Sequence, residues 1–241
     1  MSWDTYSWRF RQLFPNGLRY LDHCGEFMLA MMEKCEALPT DIKPSGAKLT
    51  IPEHGIQASV DSTGLEVFQE TPSNDTVFIE FCIVLSDLAE RFFGPLTVEL
   101  NLLEMKLMHG FPQLEQAEEA CLKLVGEHNS LKGALDMIPR TQRLDATFAS
   151  GSNQFQVVLQ PVVFETVTLQ RHHSIMGATK SQKNRATRLN AKAERLQDLL
   201  PYAVFLELTN SEQEPPLNSL GPLYDVLLKK ADIVKELFPI K

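Results

Sequence analysis

The sequence lacks the motifs by which many protein classes announce themselves. No uninterrupted apolar run approaches the ~20 residues of a membrane-spanning helix. The four cysteines, Cys24, Cys35, Cys82 and Cys121, form no C-x-x-C pair, which excludes a zinc knuckle and a dithiol redox motif. Cys24, Cys82 and Cys121 sit among apolar residues at helical spacing and read as buried, reduced thiols. There is no G-x-x-x-x-G-K-[ST] or G-x-G-x-x-G loop to cradle phosphates, and no G-x-S-x-G nucleophile elbow or H-E-x-x-H metal pair. His172-His173 is the only adjacent histidine pair. Neighbouring positions face different ways, so the two do not share a metal. No cofactor and no metal is therefore expected. Positive charge is also short: 23 Lys and Arg stand against 31 Asp and Glu, a net charge of −8. That balance excludes a protein that coats nucleic acid or anionic membrane with its whole surface. Met1–Phe10 lacks the apolar core of a secretory signal, so a reducing cytoplasm is the expected location.

What is present is a globular composition. The chain has 241 residues, 44% hydrophobic and 22% charged, enough to bury a sizeable core. Leu18, Leu21, Cys24, Met28, Met31 and Cys35 keep a helical period and predict a helix over about 17–36. Phe10, Leu13 and Phe14 just before it are placed to clamp it to the body. Leu38–Gly46, with Pro39 and Pro44, reads as a linker. Ile56, Ala58 and Val60 then alternate, Asp61–Gly64 turns, and Leu65 and Val67 return, which is a hairpin. Phe78, Phe81, Cys82, Leu85, Leu88, Ala89 and Phe92 predict a helix stopped by Gly94-Pro95. A strand through Leu96–Leu102 and a helix through Leu114–Leu124 follow.

The second part has the same succession. Leu144, Ala146 and Phe148 alternate, Ser150–Asn153 turns, and Phe155, Val157 and Leu159 return. A helix is predicted over about 180–200, a strand over Tyr202–Thr209, and a last helix through Leu220–Phe238. The expectation is an α+β fold of two similar β-rich halves, 47–126 and 140–241, each in the order hairpin–helix–strand–helix. Residues 1–46 would form an N-terminal helical extension and linker. In that extension Phe27, Met28, Met31 and Met32 exceed what one stripe needs. They pack a core or offer an adaptable association surface.

Charge is segregated along the chain. Arg171–Arg195 holds seven cations against the single acid Glu194, or +6, so the rest carries −14. On a helix, Ala186, Leu189, Ala193, Leu196 and Leu200 make one stripe. Arg185, Arg188, Lys192 and Arg195 lie about 100° around from it. With Lys183 they form a candidate contact for nucleic-acid phosphates or for an acidic protein partner. The competing reading is a solvated flank whose long stems cover apolar surface.

One carboxylate pattern points to chemistry. Glu104-Met105-Lys106 ends an apolar strand, and Glu-x-Lys on a strand suits Mg²⁺-dependent attack on phosphate, the Glu holding metal and the Lys offsetting charge. Asp61 or Glu66 is the candidate second acid. The alternative is the chance alternation of a solvent-facing strand.

The hairpin Gly55–Phe68, the strand Ala203–Leu208, and Pro215-Pro216-Leu217 with the helix ending Glu236-Leu237-Phe238 together resemble a sporadically distributed family of bacterial proteins of unknown function. The resemblance covers about the last four-fifths of the chain. Its members carry an Arg-rich strand where this chain has Leu96–Lys106. The resemblance implies no activity and no catalytic residues. The sequence thus points to a non-catalytic binding or assembly protein, with a metal-dependent nuclease centred on Glu104 and Lys106 as the alternative.

Overall fold

The computed structural model describes residues 3–15, 17–43, 46–70, 72, 75–94, 96–126, 143–163, 202–215 and 219–237. Its nine strands are β1 (Asp4–Leu13), β2 (Leu38–Lys43), β3 (Gly46–Ile51), β4 (Ile56–Val60), β5 (Gly64–Glu70), β6 (Leu100–Phe111), β7 (Leu144–Ser150), β8 (Asn153–Val163) and β9 (Tyr202–Gln213). Among the described residues four helices accompany them: α1 (Tyr20–Cys35), α2 (Asp75–Phe93), α3 (Leu114–Gly126) and α4 (Leu220–Leu237). The strands form one sheet in the order β2-β3-β4-β5-β1-β6-β9-β8-β7, with every pairing antiparallel. This is an α+β fold with a large antiparallel sheet.

The segment Asp4–Leu13 departs most from expectation. The N-terminal region was expected to be a helical extension. Asp4–Leu13 is instead a strand near the middle of the sheet, hydrogen-bonded to β5 on one side and β6 on the other. Trp8, Phe10 and Gln12 alternate with Arg9 and Arg11, the period of a strand with two different faces. Trp8 and Phe10 are wholly buried. Leu38–Lys43 is likewise an edge strand rather than a linker. Pro39 and a register shift between Pro39 and Asp41 suit a strand with a neighbour on one side only.

Other elements follow their periodicity. A single 3-10 turn at Gly17–Arg19 leads into α1. α1 ends at Glu36, in the left-handed region at φ 50°, whose N–H closes on the Met31 carbonyl. Its buried residues are Tyr20, Phe27, Met28 and Met31, while Leu21 is 59% exposed. Three of the four candidate association residues therefore pack the core, and Met32 alone is exposed. The Asp61 carboxylate accepts hydrogen bonds from the Thr63 and Gly64 N–H groups and from the Thr63 hydroxyl, which fixes the β4–β5 turn. Gly94, at φ 91°, ends α2 with its N–H on the Glu90 carbonyl. Pro161 is tolerated inside β8 because β7 ends opposite Leu159. At Pro161 the strand has a neighbour, β9, on one side only among the described residues.

All four helices contribute to one core on one face of the sheet. Trp8 stacks on Phe78 of α2 and meets Tyr224 of α4, with ring centroids 6.0 and 5.5 Å away. α1 packs on α2 through Phe27, whose ring lies 5.0 Å from that of Phe93. α3 covers β8 and β9 with Ala117 and Cys121, both wholly buried. A polar seam runs through this apolar layer. The Gln12 amide donates to the Asn101 Oδ1 at 3.1 Å, and the Asn101 amide donates to the Ser219 hydroxyl at 2.9 Å just before α4. The Asn210 amide donates to the Leu223 carbonyl inside α4. These bonds satisfy buried polar groups that would each cost about 1–3 kcal/mol if left unpaired. They also fix where α4 sits across β6 and β9. No helix among the described residues is long and apolar enough to cross a membrane.

Candidate functional site

The opposite face carries the candidate chemistry. Alternation puts Arg9 and Arg11 of β1 on this face, because Trp8 and Phe10 point to the helices. The pairing of Arg9 with Glu104, Arg11 with Glu66, and Lys106 with Glu207 brings charges from four adjacent strands into one row. Glu66 lies between Arg11 and Arg9, at 3.5 and 3.3 Å. Arg9 Nη1 is 3.9 Å from Glu104 Oε2. Lys106 Nζ lies 3.4 Å from Glu104 and 3.0 Å from Glu207. Three carboxylates therefore alternate with three cations. The Arg9 Nε–H is not aimed at Glu66 despite the short distance, so that contact is ionic rather than a hydrogen bond. The Arg9 guanidinium also lies over the Phe68 ring, 5.6 Å from its centroid.

Glu104 is the most enclosed member of the row, 8% exposed. Burial works to lower the Lys106 pKa, but Glu104 and Glu207 outweigh it and hold the amine above the ordinary lysine value. Next to the row the Tyr6 hydroxyl donates to Glu70 Oε1 at 2.7 Å and its ring meets Phe205 at 5.0 Å. Burial first, and then Glu70, push the Tyr6 pKa upward.

The sequence-predicted pair Glu104 and Lys106 thus share a face and touch. Of the two candidate second acids, Glu66 joins the row with Arg9 between it and Glu104, and Asp61 is held in the β4–β5 turn. Glu207, which no motif singled out, is the second carboxylate on Lys106. Only the β6–β9 register reveals it. No group of three or more His, Cys, Asp or Glu side chains is arranged to hold a metal ion among the described residues. The basic residues Lys183, Arg185, Arg188, Lys192 and Arg195, and the pair His172-His173, lie outside the described residues.

A shallow concavity of about 320 Å³ lies on the same face, over the strands from β6 to β7. Leu100, Leu102, Thr147, Gln156, Thr209 and Ser211 are among its lining residues, with Gln154 and Gln213. These amides and hydroxyls hold and orient a polar group but none titrates near neutral pH, so the concavity supplies no acid or base. The ionic row and the concavity are separate features, since neither Glu104 nor Lys106 lines the latter.

In comparison with known proteins, the chain matches no protein-family model and no curated sequence.

Proposed function

We propose that this chain is a non-catalytic intracellular binding or assembly protein that contacts nucleic acid or an acidic protein through its basic segment, Arg171–Arg195. The observation that carries the reading is the balance of the ionic row. A site that recruits Mg²⁺ for phosphate chemistry needs carboxylates in excess of nearby cations. Here Glu66, Glu104 and Glu207 are matched by Arg9, Arg11 and Lys106. That leaves the +6 of Arg171–Arg195 as the strongest positive charge imbalance in the sequence. Long-range attraction to a polyanion needs such an imbalance.

A duplication fits the same reading. β1 and β6 each lead into a helix. β5 and β9, the last strands of each set, return beside β1 and β6, and α2 and α4 follow them. Arg11 on Glu66 and Lys106 on Glu207 are then corresponding pairs. These units, which begin at β1 and β6 and join through the β1–β6 pairing, differ from the expected halves 47–126 and 140–241, which put β6 and α3 in the first half.

The test is fluorescence anisotropy of labelled single- and double-stranded oligonucleotides and of a polyglutamate peptide, titrated with the full chain at several salt concentrations. The wild type should bind at least one probe with an affinity that falls steeply with salt. The triple reversal Arg185→Glu, Arg188→Glu, Lys192→Glu should abolish it. Absence of binding to all three probes, or binding indifferent to the reversal, sinks the assignment. Mg²⁺-dependent cleavage of an oligonucleotide by the wild type, lost on Glu104→Ala, would replace it with the nuclease alternative.

A further inference from the structure

The two ends of the sheet are built differently. At one end, β2 carries Pro39, a register shift, and the charged pair Lys43 and Asp41, whose Nζ and Oδ2 lie 2.7 Å apart. These are the devices by which an edge strand refuses a neighbour. At the other end, β7 lacks the proline, the register shift and the lysine. Leu144–Ser150 pairs with β8 in unbroken register and contains neither proline nor lysine. Its one charge, Asp145, is neutralised by Arg143 at 3.1 Å and accepts a hydrogen bond from the Gln156 amide at 2.8 Å. Among the described residues the outer edge of β7 has no partner strand. Phe148 on this strand is 59% exposed, and no residue from Phe148 to Ser150 is buried.

We infer that the outer edge of β7 pairs with β7 of a second copy, antiparallel and centred on Thr147, and joins two nine-stranded sheets into one. The strand is self-complementary in that register. Thr147 faces the partner's Thr147, a favourable cross-strand pair. Phe148 lies opposite the partner's Ala146 and diagonal to the partner's Phe148, within reach of an aromatic ring. Asp145 faces the partner's Ala149, so like charges do not meet. One open edge and one blocked edge also fix the stoichiometry. An isologous contact uses the open edge of both copies and leaves only blocked edges outside, so association closes at two instead of growing into a fibre. A short edge contact without a large apolar interface makes the dimer dependent on concentration.

The experiment is sedimentation velocity of the full chain from about 1 μM to about 500 μM. The wild type should shift from one copy to two across this range. Thr147→Lys and Thr147→Glu each place like charges face to face at the centre, and each should weaken dimerisation by roughly tenfold or more. An equimolar mixture of the two variants should restore the dimer, because Lys then faces Glu. That recovery separates a lost contact from a lost fold. Thr40→Glu on the blocked edge should leave dimerisation unchanged. A wild type that stays single throughout overturns the inference. So do dimers that survive both Thr147 variants, a mixture that does not recover, or a dimer lost on Thr40→Glu.

Discussion

The strands of the sheet present two unlike faces from the same residues in alternation. On the helix side Trp8, Phe10, Leu103, Met105, Leu206 and Leu208 are almost wholly buried and belong to the core. On the other side their immediate neighbours Arg9, Glu104 and Glu207 form a row of paired charges. The first face is held by area removed from water, about 25 cal/mol per Å² of apolar surface. The second carries ion pairs in partial contact with solvent, each of which contributes far less, beside the buried apolar residues Met108, Val158 and Ala203. The large apolar core and the candidate chemistry therefore sit on opposite sides of one backbone. Substitutions on the two sides should separate cleanly by size.

Trp8→Ala should have the largest effect. Trp8 is wholly buried on a central strand and contacts aromatic rings from α2 and α4, the two helices that bridge the middle of the sheet. Its removal leaves a cavity that those two helices cannot collapse into without leaving the strands. The expected loss is about 3–5 kcal/mol in urea unfolding. A loss below about 1 kcal/mol would mean that the helix layer is not the main stabilising face.

Next in size is Asn101→Ala, which tests the polar seam within the apolar layer. The substitution leaves the Gln12 amide and the Ser219 hydroxyl without their partner in a buried setting. Two groups lose satisfaction for one side chain removed, so about 1–3 kcal/mol is expected. The double variant Gln12→Leu with Asn101→Leu should recover part of that loss, since it removes the donor and the acceptor together. If the double variant is less stable than the sum of the singles, the seam is not what positions α4.

How far these features were legible in the sequence depends on the distance between partners. α2, α4, the β4–β5 hairpin and the β7–β8 hairpin were readable because each carries its period within one local window. Phe78, Phe81, Cys82, Leu85 and Leu88 need no outside information to predict a helix. β1 was not readable in the same way. Phe10, Leu13 and Phe14 satisfy a helical spacing, while Trp8, Phe10 and Gln12 satisfy a strand. What settles the conflict is pairing with β5 and β6, some 50 to 100 residues away. The ionic row has the same character. That Glu104 and Lys106 share a face follows from period 2 alone. That Glu66 and Glu207 flank Arg9 and Lys106 depends on three separate strand registers, each of which a one-residue slip would undo.

The smallest effect expected is on the charged face, and pH exposes it better than a single stability measurement. Lys106→Met removes the cation between Glu104 and Glu207. Arg9 still serves Glu104, and Glu207 is partly solvated, so the loss at neutral pH should be about 1 kcal/mol or less. The pH dependence has a definite sign. In the folded protein Lys106 holds its proton more tightly than in the unfolded chain, because the two carboxylates outweigh the effect of burial. The stabilisation this gives is complete below the unfolded value, 10.5, and is lost as pH rises through the higher folded value. The wild type should therefore weaken above about pH 10 more steeply than Lys106→Met. Tyr6, Tyr20, Cys35, Cys82 and Cys121, all raised by burial, also weaken the fold as the pH passes their unfolded values, and do so in both proteins alike. The difference between the two urea midpoints, followed from neutral pH upward, isolates Lys106. It should shrink as the pH climbs past the lysine range, and a difference that stays constant would mean that the row contributes packing without electrostatics.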